Sequence, residues 1–331
     1  MAQGLRHAEP RGGPATWTRS LLSPRERFLP GLGARLARRP QIAAGTLIAL
    51  RALPLGRVRD SVLRNVSTPL VRRMDTWLEV PVDGGFRLRL DASDVTCEGL
   101  LVSGKYEPQV TALFRKVLRE GDVCVDAGAH VGYFTLLAAT IVGETGRVYA
   151  FEPDPATHRI LRANVALNEA ANVSAFAAAV GAEDGEAVLH TVPPGNSGRA
   201  SLRPAGVVRA GRVPVPVRRL ATAVPEAELP RLRLVKIDVE GAEADVLRGL
   251  EPVFDAGARP AVIVELHPAW WDDDTPAYLT DVCNRLRLVP WALRVEAPND
   301  RGRYVPTRFV GMERHREHVL LVPRSLADAS A

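Results

Sequence analysis

The chain has few cysteines, few aromatic residues and no long apolar run. Its three cysteines, Cys97, Cys124 and Cys283, form no CxxC pair among 331 residues. This spacing argues against a disulfide framework or a cysteine zinc site and favours a reducing compartment. No apolar stretch approaches the ~20 residues that a membrane-spanning helix needs, and the first forty residues lack the apolar core of a signal peptide. We therefore expect a cytoplasmic protein without a transmembrane segment.

Negative charge is scarce near the N-terminus. Residues 1–73 contain 14 Arg or Lys and 3 Asp or Glu, a formal charge of +11, whereas the remaining chain has −6, which together give +5. This asymmetry predicts a basic N-terminal extension over residues 1–75, partly disordered or helical, before a main domain over residues 76–331. A basic arm can bind nucleic acid, but the acidic main domain and the sparse aromatic residues of the arm disfavour that partner. No pattern indicates an oligomeric state.

Apolar strands alternate with helices along the main domain. "DVCVDAG", "GRVYAFEP", "NVSAFAAAV", "LRLVKID" and "PAVIVELHP" read as strands, with helical segments between most of them. This order is typical of an α/β fold with a mostly parallel sheet covered on both faces. Residues 185–219, with Pro/Gly turns and alternating Val, predict a β-rich insertion. Near the end, "VPWALRVEA" and "EHVLLVPR" predict an antiparallel hairpin at the sheet edge.

Acidic residues follow four of the five predicted strands. Asp126, Glu152, Asp238 and Glu265 stand at these strand ends, and Glu240 follows Asp238 by two residues. Ligands of open parallel sheets bind beyond the carboxyl ends of the strands. The acids therefore predict a polar pocket at one edge of the sheet.

A glycine loop and a later acid indicate the kind of ligand. In "VDAGAHVGYFT", Gly128 and Gly132 allow a tight turn close to a ligand. The pattern lacks the third glycine of a dinucleotide fingerprint, and Asp126 would repel a phosphate. About twenty residues later, Glu152 is placed to accept hydrogen bonds from both hydroxyls of a ribose. Together these features favour S-adenosylmethionine over NAD or ATP.

Three motifs in one order resemble a known family. "DAGAHVGYFT", "FEPDP" and "KIDVEGAE" lie within residues 104–268, and the chain resembles the FkbM family of S-adenosylmethionine-dependent methyltransferases. The resemblance implies a class I (Rossmann-like) methyltransferase sheet and methyl transfer to a hydroxyl of a sugar or secondary metabolite. The residues that the loop and the strand ends assign to the cofactor are Asp126, Gly128, Ala129, His130, Gly132, Glu152, Pro153 and Ala179.

The sequence departs from the family pattern at one position. Leu220-Ala221-Thr222 stands where the family often has Leu-Asp, so we assign no role to that position. The first 75 residues lie outside the resemblance.

The chemistry needs a group that activates a hydroxyl, because an alcohol is a poor nucleophile at neutral pH. Asp238, Glu240 and His267 are the candidate bases at the fourth and fifth strand ends. Glu240 is alternatively a helix N-terminal acid, and His267 a partner of a backbone carbonyl. Glu243 and Asp245 are expected to be first-turn helix acids. The Asp238 and Glu240 carboxylates could instead hold Mg²⁺. A divalent metal is therefore an alternative, but we do not predict one, because the spacing marks no third ligand.

Other functions remain as alternatives. An NAD-type oxidoreductase uses a similar sheet but needs the missing glycine. A nucleic-acid methyltransferase would use the basic arm for binding. A non-catalytic protein that keeps the fold would be expected to have broken motifs, and those of this chain are intact. The expected acceptor is a small molecule or a glycan.

Overall fold

The computed structural model describes residues 38–52, 67–72, 74–203, 210–268, 271, 273–294, 303–306 and 317–323. Short 3₁₀ turns at Ser197–Arg199 and Glu226–Arg231 join longer elements. The helices are α1 (Pro40–Arg51), α2 (Thr68–Val71), α3 (Glu98–Ser103), α4 (Pro108–Val117), α5 (Tyr133–Val142), α6 (Pro155–Leu167), α7 (Leu220–Ala223), α8 (Glu243–Asp255) and α9 (Thr275–Arg285). The strands are β1 (Trp77–Pro81), β2 (Arg87–Asp91), β3 (Val123–Ala127), β4 (Arg147–Phe151), β5 (Val173–Phe176), β6 (Ala179–Gly181), β7 (Gly185–Thr191), β8 (Gly211–Arg219), β9 (Leu232–Ile237), β10 (Ala261–Leu266), β11 (Leu288–Arg294), β12 (Arg303–Pro306) and β13 (Glu317–Pro323).

The central sheet has eight strands in the order β12-β11-β13-β10-β9-β3-β4-β5. Strands β10, β9, β3, β4 and β5 pair in parallel, and β13 runs antiparallel to both β10 and β11. This is the class I methyltransferase topology, so the predicted fold class is confirmed. The predicted antiparallel pair at the C-terminal edge is β11 with β13. The sequence did not show that β13 inserts between β10 and β11, nor that β12 adds a further antiparallel strand.

The central strands are buried because helices cover both faces of the sheet. Every residue of β3 and β10 is buried, which explains their continuous apolar sequences. Alternate side chains point to opposite faces. Cys124, Leu234 and Ile263 pack on the side of α4 and α5, whereas Val125, Val235 and Val264 pack on the side of α8 and α9.

Helix α1 packs on the main domain although it lies within the predicted basic extension. Its Ala43, Ala44 and Leu47 are buried in one core with β1 and β2. Arg51 at its end donates from Nη2 to the Leu100 carbonyl at 2.6 Å. The boundary at residue 75 stays a prediction, and residues 1–37 lie outside the described residues.

The region of the predicted insertion contains β7 and β8. These strands pair antiparallel, and β6 joins β8 in parallel to complete a three-stranded sheet. The connection between β7 and β8 contacts the segment after β2. The Ser197 amide donates to Asp94 Oδ2 at 2.9 Å, and the Val95 amide donates to the Gly195 carbonyl at 3.0 Å. Gly195 and Ser197 of the connection are therefore held against the segment that follows β2.

None of the described helices has the length and apolar character needed to cross a membrane.

Candidate active site

A cavity of about 410 Å³ opens at the carboxyl ends of β3, β4 and β9. Most of the predicted site residues form its wall. Asp126, Gly132 and His267 do not line it. The predicted residues that do are Gly128, Ala129, His130, Glu152, Pro153, Ala179, Asp238 and Glu240.

The glycine loop packs directly on the chain that leaves β9. Gly128 has a φ of +82°, and a Cβ at this position would overlap the carbonyl oxygen of Asp238. Gly132 has a φ of +95°, and a Cβ there would lie 2.7 Å from Leu161 Cδ1. The positive φ favours glycine at both positions, and the backbone clash at Gly128 also leaves no space for a side chain. Through Gly128, the loop fixes the backbone position of Asp238.

Glu152 is a buried acid held by two backbone amides. It is 7% exposed; Oε2 accepts from the His130 amide and Oε1 from the Asp154 amide, each at 2.9 Å. Burial raises the pKa of Glu152 to about 7, although the two hydrogen bonds act in the opposite direction. The carboxyl group is thus fixed on the cavity wall where β4 ends.

Lys236 joins two of the predicted acids, and sequence reasoning missed it. Its Nζ lies 3.0 Å from Asp238 Oδ2 and 3.8 Å from Asp126 Oδ1, and the residue is 4% exposed. Burial alone lowers the pKa of Lys236, but the neighbouring carboxylates outweigh burial and raise it above its usual value. Lys236 is therefore a buried ammonium at neutral pH. A lysine within the apolar strand "LRLVKI" is the signal that marks it.

Asp126 lies behind the loop, not on the cavity. It is fully buried and accepts from Thr135 Oγ1 at 2.6 Å. Burial raises the pKa of Asp126, while Lys236 and the Thr135 hydroxyl act against that shift. Its carboxylate faces Lys236, and its assignment to the cofactor site stays a prediction.

Glu240, His267 and Glu243 form a buried chain of side chains. His267 Nδ1 lies 2.6 Å from Glu243 Oε1, and its Nε2 lies 3.4 Å from Glu240 Oε2. Glu243 is in the first turn of α8 as expected, but it is buried and also accepts from the Gly241 amide at 2.8 Å. Glu240 reaches the cavity with a φ of +51°, a conformation that is strained for a residue other than glycine.

The connection between β7 and β8 contacts the cofactor loop. His130 Nε2 lies 2.6 Å from the Ser197 hydroxyl, and burial lowers the pKa of His130. Residues 196–202 line the cavity together with the glycine loop. The connection therefore closes one side of the cavity.

Comparison with known proteins agrees with the motifs. The Methyltransferase FkbM domain matches residues 126–288. Methyltransferase sdnD of Sordaria araneosa is 30% identical over 185 residues, which is 47% of this chain and 71% of that protein. The chain belongs to the FkbM methyltransferase family.

Two further relatives of this FkbM family chain match over shorter parts of their lengths. Methyltransferase 1 of Beauveria bassiana is 35% identical over 144 residues, 38% of this chain and 57% of that protein. Hexuronic acid methyltransferase AglP of Haloferax volcanii is 27% identical over 169 residues, 49% of this chain and 62% of that protein. The chain thus spans less than two thirds of both relatives.

Proposed function

We propose that this protein transfers a methyl group from S-adenosylmethionine to a hydroxyl of a sugar or secondary metabolite. One observation carries the proposal: a single cavity has the buried acid Glu152 on its wall at the end of β4 and the Lys236–Asp238 pair at the end of β9. Glu152 suits the hydroxyls of a ribose, and the Lys236–Asp238 pair suits a reacting hydroxyl of the acceptor. One relative, the hexuronic acid methyltransferase AglP, supports a sugar acceptor by its name.

The residues present fit S-adenosylmethionine. Glu152 would accept hydrogen bonds from the ribose hydroxyls, and the apolar wall of Phe151, Ala178 and Val180 suits the adenine. The cofactor supplies an electrophilic methyl group on a sulfonium. The cavity would align that methyl with an acceptor, which accounts for much of the rate in displacement reactions.

Asp238 is the residue we assign as the general base. In the proposed reaction, its carboxylate accepts the hydroxyl proton as the acceptor oxygen forms its bond to the methyl carbon and the carbon–sulfur bond breaks. The Lys236 ammonium, 3.0 Å from Asp238, stabilises negative charge that develops on the oxygen. Asp126 acts through Lys236, which it holds from the opposite side.

Glu240 and His267 are assigned to positioning. Glu243 fixes the His267 ring through Nδ1, and His267 in turn faces the Glu240 carboxylate. The Ser201 hydroxyl donates to the Glu240 carbonyl, so both the β7–β8 connection and β10 hold this acid at the cavity. The acceptor is proposed to contact residues 196–202.

Glu152→Gln is expected to weaken S-adenosylmethionine binding by about 10- to 150-fold, the worth of hydrogen bonds to a charged group. Glutamine keeps the shape but replaces one acceptor oxygen with a donor. Calorimetric titration measures the change, with Glu186→Gln, an exposed acid on β7, as the matched control. Equal affinities of the two variants would remove Glu152 from the cofactor site.

Cofactor affinity is expected to fall as the pH is lowered through about 7. The folded protein raises the pKa of Glu152 to about 7, and only its ionised form accepts two ribose hydrogen bonds. Affinity is therefore full above this pH and decreases below it, by up to tenfold per pH unit. Calorimetry from about pH 5 to about pH 9, roughly two units on each side of the transition, tests this. The Glu152→Gln variant should lose the dependence.

Acceptor class is tested with a labelled methyl group. Incubation with S-adenosylmethionine carrying a deuterated methyl, together with uronic acids, neutral sugars and hydroxylated metabolites, should give a methyl ether detectable by mass spectrometry. Label found only on amines or on nucleic acid would contradict the proposed hydroxyl transfer while leaving cofactor binding intact.

A further inference from the structure

A row of polar side chains extends across the sheet beyond the Lys236–Asp238 pair. Asp126 is the register partner of Lys236, and Glu265 is the register partner of His318. Because side chains alternate along a strand, Lys236 shares a face with Leu234, Glu265 with Ile263 and His318 with Leu320. These apolar neighbours all pack in the core on the side of α4 and α5. The polar residues thus lie along one face near the carboxyl ends of β10 and β9.

Glu107 reaches this row from the start of α4. It is the residue before Pro108 and has a φ of +36°, a strained conformation for glutamate. Its Oε2 lies 3.4 Å from His318 Nε2, and Glu265 Oε2 lies 3.7 Å from the same nitrogen. The nearest ligand atoms of Glu107, Glu265 and His318 all lie within 4.8 Å of one another.

These separations match the edge of a metal coordination sphere. Metal–nitrogen and metal–oxygen bonds of about 2.0–2.2 Å at tetrahedral angles place neighbouring ligand atoms about 3.4 Å apart. A direct hydrogen bond needs a shorter distance, about 2.7–3.2 Å for nitrogen and oxygen. Both contacts with the His318 imidazole are thus longer than a normal hydrogen bond, and the three groups are suitably placed to share a cation.

Two of the polar atoms facing this point lack a hydrogen-bond partner among the described residues. Glu107 Oε2 and His318 Nε2 are buried and make no hydrogen bond within the described part of the chain. Glu265, at 3% exposure, is among the most buried acids of the structure. Burial of such atoms without compensation is unfavourable. Two orphaned atoms that face one another beside a buried carboxylate are the second observation that indicates a ligand.

The local charge also favours a cation. The row and its neighbours contain four carboxylates, Asp126, Asp238, Glu107 and Glu265, and one ammonium, Lys236. Lys236 is already paired with Asp126 and Asp238. The carboxylates therefore outnumber the ammonium, and a divalent ion bound by Glu107 and Glu265 would offset the remaining negative charge.

We propose that Glu107, Glu265 and His318 bind a divalent first-row transition metal, with Zn²⁺ or Mn²⁺ as the best match. One imidazole and two carboxylates form a three-ligand set that leaves positions for water or a substrate oxygen. Mg²⁺ prefers oxygen ligands in octahedral geometry and suits the set less well. Tyr106, next to Glu107, lines the cavity, so the metal site borders the proposed active site without sharing its residues.

Metal binding is tested on the full chain after treatment with a chelator and dialysis. Zn²⁺ and Mn²⁺ are titrated by calorimetry, and Co²⁺ by its visible absorption, which reports coordination geometry. We expect one-to-one binding, with Mg²⁺ weaker. His318→Ala and Glu107→Gln should each weaken binding at least about 100-fold, the upper end of what loss of a supporting contact causes. His158→Gln, a histidine on α6 outside the three-ligand set, is the matched control.

Three results would overturn the metal site. They are absence of one-to-one binding to the wild-type chain, unchanged affinity in both His318→Ala and Glu107→Gln, and equal weakening by His158→Gln. Thermal melting in chelator identifies any variant that fails to fold. If His318→Ala does not fold, Glu107→Gln, a change at the start of a helix, provides the test in its place. The measurement needs no S-adenosylmethionine, so its outcome is independent of the proposed methyl transfer.

Discussion

Asp238→Asn is expected to lower the turnover of methyl transfer by about 10²- to 10⁴-fold, the usual contribution of a general base. Asparagine has nearly the same volume and keeps an oxygen near Lys236, but it does not accept the hydroxyl proton. S-adenosylmethionine affinity should be unchanged, because Glu152 and the loop at Gly128 remain in place. Turnover is measured with the acceptor found by mass spectrometry, and affinity by calorimetry.

The matched control for Asp238→Asn is Asp281→Asn. Asp281 pairs with Arg285 on the surface of α9 and is 61% exposed, so its amide variant should retain full activity. Full turnover of Asp238→Asn would remove Asp238 from the chemistry. A parallel loss of cofactor affinity would show instead that Asp238 shapes the cavity.

Lys236→Met is expected to lower the free energy of unfolding by about 3–5 kcal/mol, the loss found when one partner of a buried ion pair is removed. Methionine fills a similar volume but leaves Asp126 and Asp238 without their cation, and Asp126 is fully buried. Denaturant unfolding at neutral pH measures the change. Lys116→Met, an exposed lysine on α4, is the matched control and should stay within about 0.5 kcal/mol of the wild type.

The pH dependence separates this loss from a packing defect. In the wild type, folding raises the pKa of Lys236 above the pKa of the unfolded chain. The charged Lys236 therefore stabilises the fold fully at pH values below the unfolded pKa, and this stabilisation is lost as the pH rises through the folded pKa. In Lys236→Met, the unpaired carboxylates should protonate more readily, and the deficit should shrink toward acidic pH. A deficit that is independent of pH would contradict the charge account.

The sequence predicted the fold because each central strand and helix carries its own local pattern. Continuous apolar strands such as "VCVDA" and "VIVEL" indicate burial on both faces, and alternation with helices requires a mostly parallel sheet. The position of β13 between β10 and β11 was not predictable in this way. Strand order is decided by packing between segments far apart in the chain, and local pattern carries no information about it.

The site was predictable only in part, for a similar reason. Parallel strands bring their carboxyl ends to one edge, so Glu152, Asp238 and Glu240 were expected together. The orientation of a side chain relative to a loop could not be predicted. Asp126 is the example, because its side chain lies behind the cavity wall against Lys236. Glu243 resembled an ordinary first-turn acid until its contact with His267 was seen.

Contacts between distant segments were the hardest to infer from sequence. Ser197 reaches His130 from the connection between β7 and β8. Glu107, Glu265 and His318 come from the start of α4, from β10 and from β13, and no spacing relates them. For this reason the sequence did not mark these three residues as a group, although the fold brings them together.

The central claim is that this cavity holds S-adenosylmethionine between Glu152 and Asp238. Calorimetric titration of the full chain with S-adenosylmethionine, and separately with NAD, tests it most directly. The structure and the motifs predict one-to-one binding of S-adenosylmethionine, competition by S-adenosylhomocysteine and no heat with NAD. Binding of NAD, or no binding of S-adenosylmethionine by the folded chain, would contradict the claim.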